Sequence, residues 1–93
     1  MTPSELRTLL LIKDYLDSRG RSCFTYRGLR AHYARRGFYR DLEWHTVERA
    51  IRELARREIL LRVEKSRKKV IFCWTDKAEQ IYRKALEQMG YVS

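Results

Sequence analysis

The stretch WHTVERAIRELARREILLRVEKSRKKVIFCWTDKAEQIY, Trp44–Tyr82, decides how this chain folds. It opens on an arginine-studded segment in which Val47, Ile51 and Leu54 recur at i, i+4 and i+7, the spacing of one helix face. Ala50 and Ala55 border that face, while His45, Arg49, Arg52 and Arg56 fall opposite it. The spacing predicts a helix over about 43–57, starting near Leu42 or Glu43, with Asp41 or Leu42 at its boundary. Leu60–Glu64 then alternates, Leu61 and Val63 on one side and Arg62 and Glu64 on the other. Val70–Trp74 alternates too, with Val70, Phe72 and Trp74 on one face and Ile71 and Cys73 on the other. Lys65, Arg67, Lys68 and Lys69 crowd the interval, so the stretch predicts a helix followed by a hairpin with a basic loop at Lys65–Lys69.

Outward from that stretch, helix signals repeat. Thr2 can cap, Pro3 suits a first helical position and Glu5 stands three residues after the cap. The first helix is expected to run to about Arg19 and to leave through Gly20. Leu6, Leu9, Leu10, Tyr15 and Leu16 hold its stripe, and Leu11 and Ile12 widen it beyond what one neighbour covers. Arg21–Phe24 is a brief strand. Thr25 caps a second helix, Tyr26–Arg36, with Leu29 and Tyr33 inward and Gly37 closing it, and Gly37–Asp41 is a turn. After the hairpin, Thr75 caps a last helix from Asp76 to about Met89, with Gly90 as its exit. Ala78, Ile81, Tyr82, Ala85, Leu86 and Met89 form its stripe.

The 93 residues suit one domain, 1–93, with no linker or repeat. Net charge is +9, and its distribution is uneven. From Arg19 to Lys69 there are 16 cations and 6 anions, whereas the two ends together hold 5 cations and 6 anions. A basic middle between nearly neutral ends fits a polyanionic partner better than a general solubility role. The apolar run Leu9–Ile12 is too short for a signal segment or a membrane span, so a soluble intracellular protein is expected. Asn is absent, and Arg outnumbers Lys 15 to 6, usage that fits a thermophilic source.

The order helix, short strand, helix, turn, helix, strand, basic loop, strand, helix resembles the winged-helix family of the helix-turn-helix group. The likeness is to the MarR-like type and to small winged-helix regulators of archaea and their viruses. Thr46-Val47-Glu48-Arg49-Ala50-Ile51-Arg52-Glu53-Leu54 is similar to the family's recognition helix, and Trp74-Thr75-Asp76-Lys77-Ala78 resembles the strand end and helix start after the wing. The resemblance implies an α+β fold: a three-helix core, a small antiparallel sheet with a β-hairpin wing, and an added C-terminal helix. Two residues depart from the family pattern. Glu58 and Ala78 stand where members often carry Gly, and the first suggests a tighter or differently shaped exit from the third helix.

The function so implied is sequence-specific binding of double-stranded DNA, as a transcriptional regulator. A helix fits the major groove and a basic hairpin can reach flanking phosphates. His45 and Thr46 stand where the resemblance places base contacts. Arg49 and Arg52 suit guanine, whose O6 and N7 a guanidinium can engage together, and Arg56 lies on the same face. Arg27 and Arg30 open the second helix and can meet backbone phosphate, and Lys65, Arg67, Lys68 and Lys69 are the wing contacts. Trp44 packs on the core edge in preference to lying on the DNA. The other assignment of the same surface is a module for RNA or for an acidic protein partner.

No phosphate-cradling glycine loop or nucleophile motif occurs, so neither an enzyme nor a cofactor is expected. Cys23, His32, His45 and Cys73 are of ligand type but lack the paired spacing of a zinc site, and His32 is expected at the surface or partly packed. If Phe24 and Trp74 point inward, alternation turns Cys23 and Cys73 outward, and in the winged-helix pattern their strands are neighbours. Free thiols and a disulfide within the chain are alternatives to the favoured expectation, a disulfide between subunits. Intracellular disulfides are characteristic of hyperthermophiles. The apolar terminal helices, as in MarR-like proteins, imply a homodimer whose recognition helices lie one DNA turn, roughly 34 Å, apart.

Overall fold

Three threonines and a proline set where the helices begin. In the computed structural model, which describes residues 1–37, 41–88 and 90, α1 spans Pro3–Arg19. Thr2 Oγ1 accepts from the Glu5 N–H at 3.2 Å, and the Glu5 carboxylate accepts from the Thr2 N–H at 2.9 Å. This reciprocal box satisfies two donors that a helix start otherwise leaves open. Thr25 caps α2 (Tyr26–Arg36) through the Gly28 N–H at 3.1 Å. Thr75 caps α4 (Asp76–Gln88) through the Ala78 N–H at 3.1 Å, and its hydroxyl also donates to the Ile59 carbonyl at 2.6 Å.

α3 (Trp44–Arg56) starts without such help: Glu43 is its N-cap and makes no side-chain capping bond. Asp41, one of the two boundary candidates, is instead held by Arg7 of α1 through bonds of 2.7 and 2.9 Å. The expected turn at Gly37–Asp41 falls largely outside the described residues, as does Met89 of the last stripe. The Tyr33 hydroxyl spans that connection and donates to the Leu42 carbonyl at 2.5 Å. α1 and α2 approach closely at Gly28, where a Cβ would come within 2.5 Å of the Tyr15 hydroxyl oxygen.

β1 (Cys23–Phe24), β2 (Leu60–Ser66) and β3 (Lys69–Trp74) form an antiparallel sheet in the order β1-β3-β2. The fold is α+β, four helices and a three-stranded antiparallel sheet with a β2–β3 hairpin after α3. Leu9, Leu11, Ile12 and Leu16 of α1 fill the centre with Leu29, Val47, Ile51, Leu54, Leu60 and Phe72. The width of the α1 apolar surface is thereby explained: α1 meets α2, α3 and α4.

The hairpin differs from expectation in the length of its strands, and packing decides which side of its first strand is buried. Ser66 pairs with Lys69, so the connection is only Arg67-Lys68, and Lys65 and Lys69 are strand residues. All four cations near the tip are exposed, so charge at strand positions costs no desolvation and backbone pairing continues without an apolar pattern. Neither Arg67 nor Lys68 takes a positive φ, so the turn is not one of the primed types that match strand twist. A register shift between Glu64 and Ser66 supplies a bulge there, and bulges add twist. Leu60, opposite Trp74, is buried, while Leu61, opposite Cys73, is 56% exposed. Arg62 therefore shares the inward face with Phe72, its cross-strand partner.

Cys23 and Cys73 are directly opposed and form a disulfide within the chain, with Cα atoms 4.0 Å apart. The expected outward orientation and strand pairing hold, but the expected bond between subunits does not. The Trp74 N–H donates to the Ser22 carbonyl at 2.8 Å, which makes Cys23–Cys73 a non-hydrogen-bonded pair, the closer of the two antiparallel pair types. Two outward thiols on adjacent strands reach each other before they reach another molecule.

His32 also departs from expectation. It is 5% exposed, its ring centroid lies 5.1 Å from that of Tyr15, and its Nε2 donates to Asp14 at 2.8 Å. Asp14 of α1 also receives Arg36 Nε at 3.1 Å. The histidine is a polar bolt between α1 and α2.

At the end of α3, Glu58 takes φ 61°, the left-handed conformation that glycine adopts without strain. Its N–H reaches the Ala55 carbonyl at 3.0 Å, and the Ile59 N–H reaches Leu54 at 2.9 Å. These are the two bonds of a Schellman closure, with buried Ile59 beside buried Leu54. The exit is an ordinary Schellman turn rather than the tighter or differently shaped one expected, and a non-glycine residue makes it at higher conformational cost.

Candidate nucleic-acid interface

The inner face of α3 fixes the outer one. With Val47, Ala50, Ile51 and Leu54 buried, His45, Arg49, Arg52 and Arg56 are exposed along the opposite side. His45 is the most open, its side chain 88% exposed, and its Nδ1 lies 3.5 Å from Glu48. Thr46 is half-buried beside Arg49 in a groove between α3 and the first turn of α1. Arg49 and Arg52 make no ion pair among the described residues. Arg56 is engaged: its Nε and Nη2 donate to Glu53 at 3.0 and 2.5 Å. Those bonds hold the Glu53 carboxyl below its usual range and raise the Arg56 guanidinium. The i,i+3 spacing of Glu53 and Arg56 is visible in the sequence, but it does not single out Arg56, because Glu48–Arg52 and Arg49–Glu53 stand at i,i+4 and only the structure shows which pair forms.

Arg27 and Arg30 are exposed on α2 and, with Trp44 and Glu48, line the groove between α2 and α3. The Arg30 guanidinium lies 5.9 Å from the Trp44 ring centre, and Tyr33 meets the same ring at 5.5 Å. Trp44 is half-buried and packs on the core. On the hairpin, Lys65, Arg67, Lys68 and Lys69 are exposed and make no ion pair among the described residues.

Helix and hairpin are brought together at the hairpin root. Arg52, Ala55 and Arg56 of α3 face Arg62, Val70 and Phe72 across a groove that Tyr26 also lines. Val70 adjoins Lys69, so the basic tip continues directly from the strands that wall this groove. Sequence reasoning missed Arg62 and Tyr26. Arg62 was obscured by strand parity, because Leu60 and Leu61 are both leucine and only packing decides which turns inward.

The surface is cationic but not uniformly so: Glu48 and Glu53 stand among the arginines of α3. Such a mixed face offers guanidinium donors for base edges or phosphates together with carboxylate acceptors. No group of His, Cys, Asp and Glu able to hold a metal occurs among the described residues, and none of their helices is long and apolar enough to cross a membrane. Comparison with protein-family models, curated proteins and solved structures found no match to this chain.

Proposed function

We propose that this chain is a winged-helix protein that binds double-stranded DNA site-specifically as a homodimer and acts as a transcriptional regulator. One observation carries the proposal. Arg49 and Arg52 stand exposed and, among the described residues, without carboxylate partners, on a helix whose other face is locked into the core. α3 enters the major groove with Thr46, Arg49 and Arg52 toward base edges. The β2–β3 hairpin is the wing, and Lys65, Arg67, Lys68 and Lys69 meet flanking DNA. Arg27 and Arg30 meet backbone phosphate from α2.

The homodimer forms through α1 and α4. Pro3, Leu6 and Leu10 of α1 line an apolar groove with Ala85 of α4. Because both cysteines are used within the chain, the interface is non-covalent. Light scattering at working concentration tests it, and a clean monomer counts against it.

The DNA reading is tested by selecting bound sequences from a random duplex pool at stated salt with excess competitor. A two-fold symmetric consensus supports a dimeric site reader. Retention without consensus supports a nonspecific DNA binder. No retention removes DNA and favours an RNA or acidic protein partner.

A further inference from the structure

The groove between α3 and the hairpin combines apolar and cationic lining. Ala55 and Val70 supply most of its apolar floor, with Phe72, 2% exposed, beneath them, and Tyr26, Arg52, Arg56 and Arg62 supply its polar rim. It measures about 480 Å³, the size of a pocket for a small organic group. A bare inorganic anion leaves the floor unused, and an apolar ligand leaves the guanidinium groups unused. A sugar–phosphate uses both, with its C–H face on the floor and its charge at the rim.

The rim is already arranged for that exchange. Arg62 Nη1 is held by Glu64 at 2.8 Å, and Arg56 by Glu53. Both pairs are well exposed and contribute little by themselves, so an arriving phosphate can compete for either guanidinium. Tyr26 packs edge-on to Phe72, ring centroids 5.0 Å apart. Burial raises its hydroxyl pKa while Arg52 and Arg62 oppose the shift, so the net direction is upward and the phenol keeps its proton as a donor.

Resting on the DNA-binding proposal above, we infer that this groove seats one backbone sugar–phosphate of the duplex. Arg62 and the Tyr26 hydroxyl hold the phosphate, and Phe72 and Val70 underlie the deoxyribose. Arg62 is thereby a DNA-contact residue at the wing root, distinct from the tip cations, and it positions the duplex without reading its sequence.

The test uses the whole chain on the selected duplex across a salt series. Arg62→Ala should weaken binding by the same factor on every duplex and flatten the log–log salt slope by about 0.9, the share of one phosphate. Arg62→Lys should restore most of the slope, and Tyr26→Phe should weaken binding a few-fold without changing it. Scanning neutral methylphosphonates along the duplex should find one position that costs the parent chain affinity and costs Arg62→Ala none. An unchanged slope in a folded Arg62→Ala chain, or the lack of any such position, overturns the inference while leaving duplex binding intact. The same holds if a free deoxynucleoside monophosphate binds the parent chain, Arg62→Ala abolishes that binding, and the duplex slope is unaltered. Failure of the parent chain to retain duplex overturns this inference and the DNA proposal together.

Discussion

Glu5 Oε2 accepts a hydrogen bond from Arg57 Nη2 at 2.6 Å, fastening the first turn of α1 to the residue that ends α3. The carboxylate is 7% exposed as a residue and also caps the Thr2 N–H. Among the described residues Arg57 Nε has no hydrogen-bond acceptor, lying 3.5 Å from Glu53, so Glu5 provides the closest ion pair of Arg57. Glu5→Gln should lower stability by about 1–2 kcal/mol at neutral pH, because it weakens a charge-assisted bond and leaves a guanidinium under-satisfied. Urea unfolding measures it.

The same carboxylate gives a pH dependence of definite sign. Burial pushes the Glu5 pKa up, but the Thr2 N–H and Arg57 outweigh it and hold the group below its ordinary 4.5. Glu79 behaves alike: burial raises it, and Trp74, Arg83 and Lys13 together bring it below 4.5. A carboxyl lowered in the folded state contributes its full stabilisation above the unfolded value and loses it as pH falls through the folded one. Stability attributable to these groups should therefore be level from neutral pH down to about 5 and decline below about 4.5. The gap between the parent chain and Glu5→Gln should close over that decline. A gap that stays constant to pH 2 would contradict the assignment.

Glu58 sits in a left-handed turn at φ 61° with its N–H and that of Ile59 already bonded. Glu58→Gly should keep the closure, remove the strain and raise stability by roughly 1 kcal/mol, read as an increase in denaturation midpoint.

Strand parity makes neighbouring leucines unequal. Leu60→Ala should cost about 2–5 kcal/mol, since that side chain is 1% exposed. Leu61→Ala, at 56% exposed, should change stability by about 0.5 kcal/mol or less. Equal losses would mean that the register is wrong.

The disulfide closes a loop with a sequence separation of 50 residues, which the chain-entropy model values at about 4 kcal/mol. Reduction, or replacement of both cysteines by serine, should lower the melting temperature. The unreduced chain should run as a monomer on a denaturing gel, because both thiols are consumed internally.

Residues that act on DNA through different atoms should fail differently. Arg49→Ala should relax preference at one base position and cost about 1–3 kcal/mol on the selected site alone. Lys68→Ala should weaken binding to all duplexes alike and reduce the salt slope by about 1. Binding titrations on matched and mismatched duplexes separate the two.

Much of the helical frame was legible because its signals are local. Thr2, Thr25 and Thr75 mark helix starts by hydroxyl chemistry, and Val47, Ile51 and Leu54 mark a buried face by spacing alone. What was hidden depends on distant partners. His32 is buried because Asp14 lies 18 residues away on a facing helix, and nothing near His32 announces it. The hairpin tip looked like a loop because strands are recognised by apolar alternation, which a solvated ribbon does not need. Arg62 escaped notice because its face was set by the packing of Leu60. At the candidate site, Arg49 and Arg52 lie where their spacing placed them, whereas the groove joining them to the hairpin exists only once the sheet is assembled.

The Cys23–Cys73 bond makes a closed covalent circle of β1, α2, α3 and the hairpin, with α1 and α4 as two tails leaving it. A single peptide-bond break anywhere on the circle leaves one connected molecule, whereas a break in either tail sets a fragment free. A protease that nicks the α2–α3 connection or the hairpin turn would leave no trace on an unreduced gel until thiol is added. The exposed arginines and lysines proposed to meet DNA are thus carried on the part of the chain that can be cut once without coming apart.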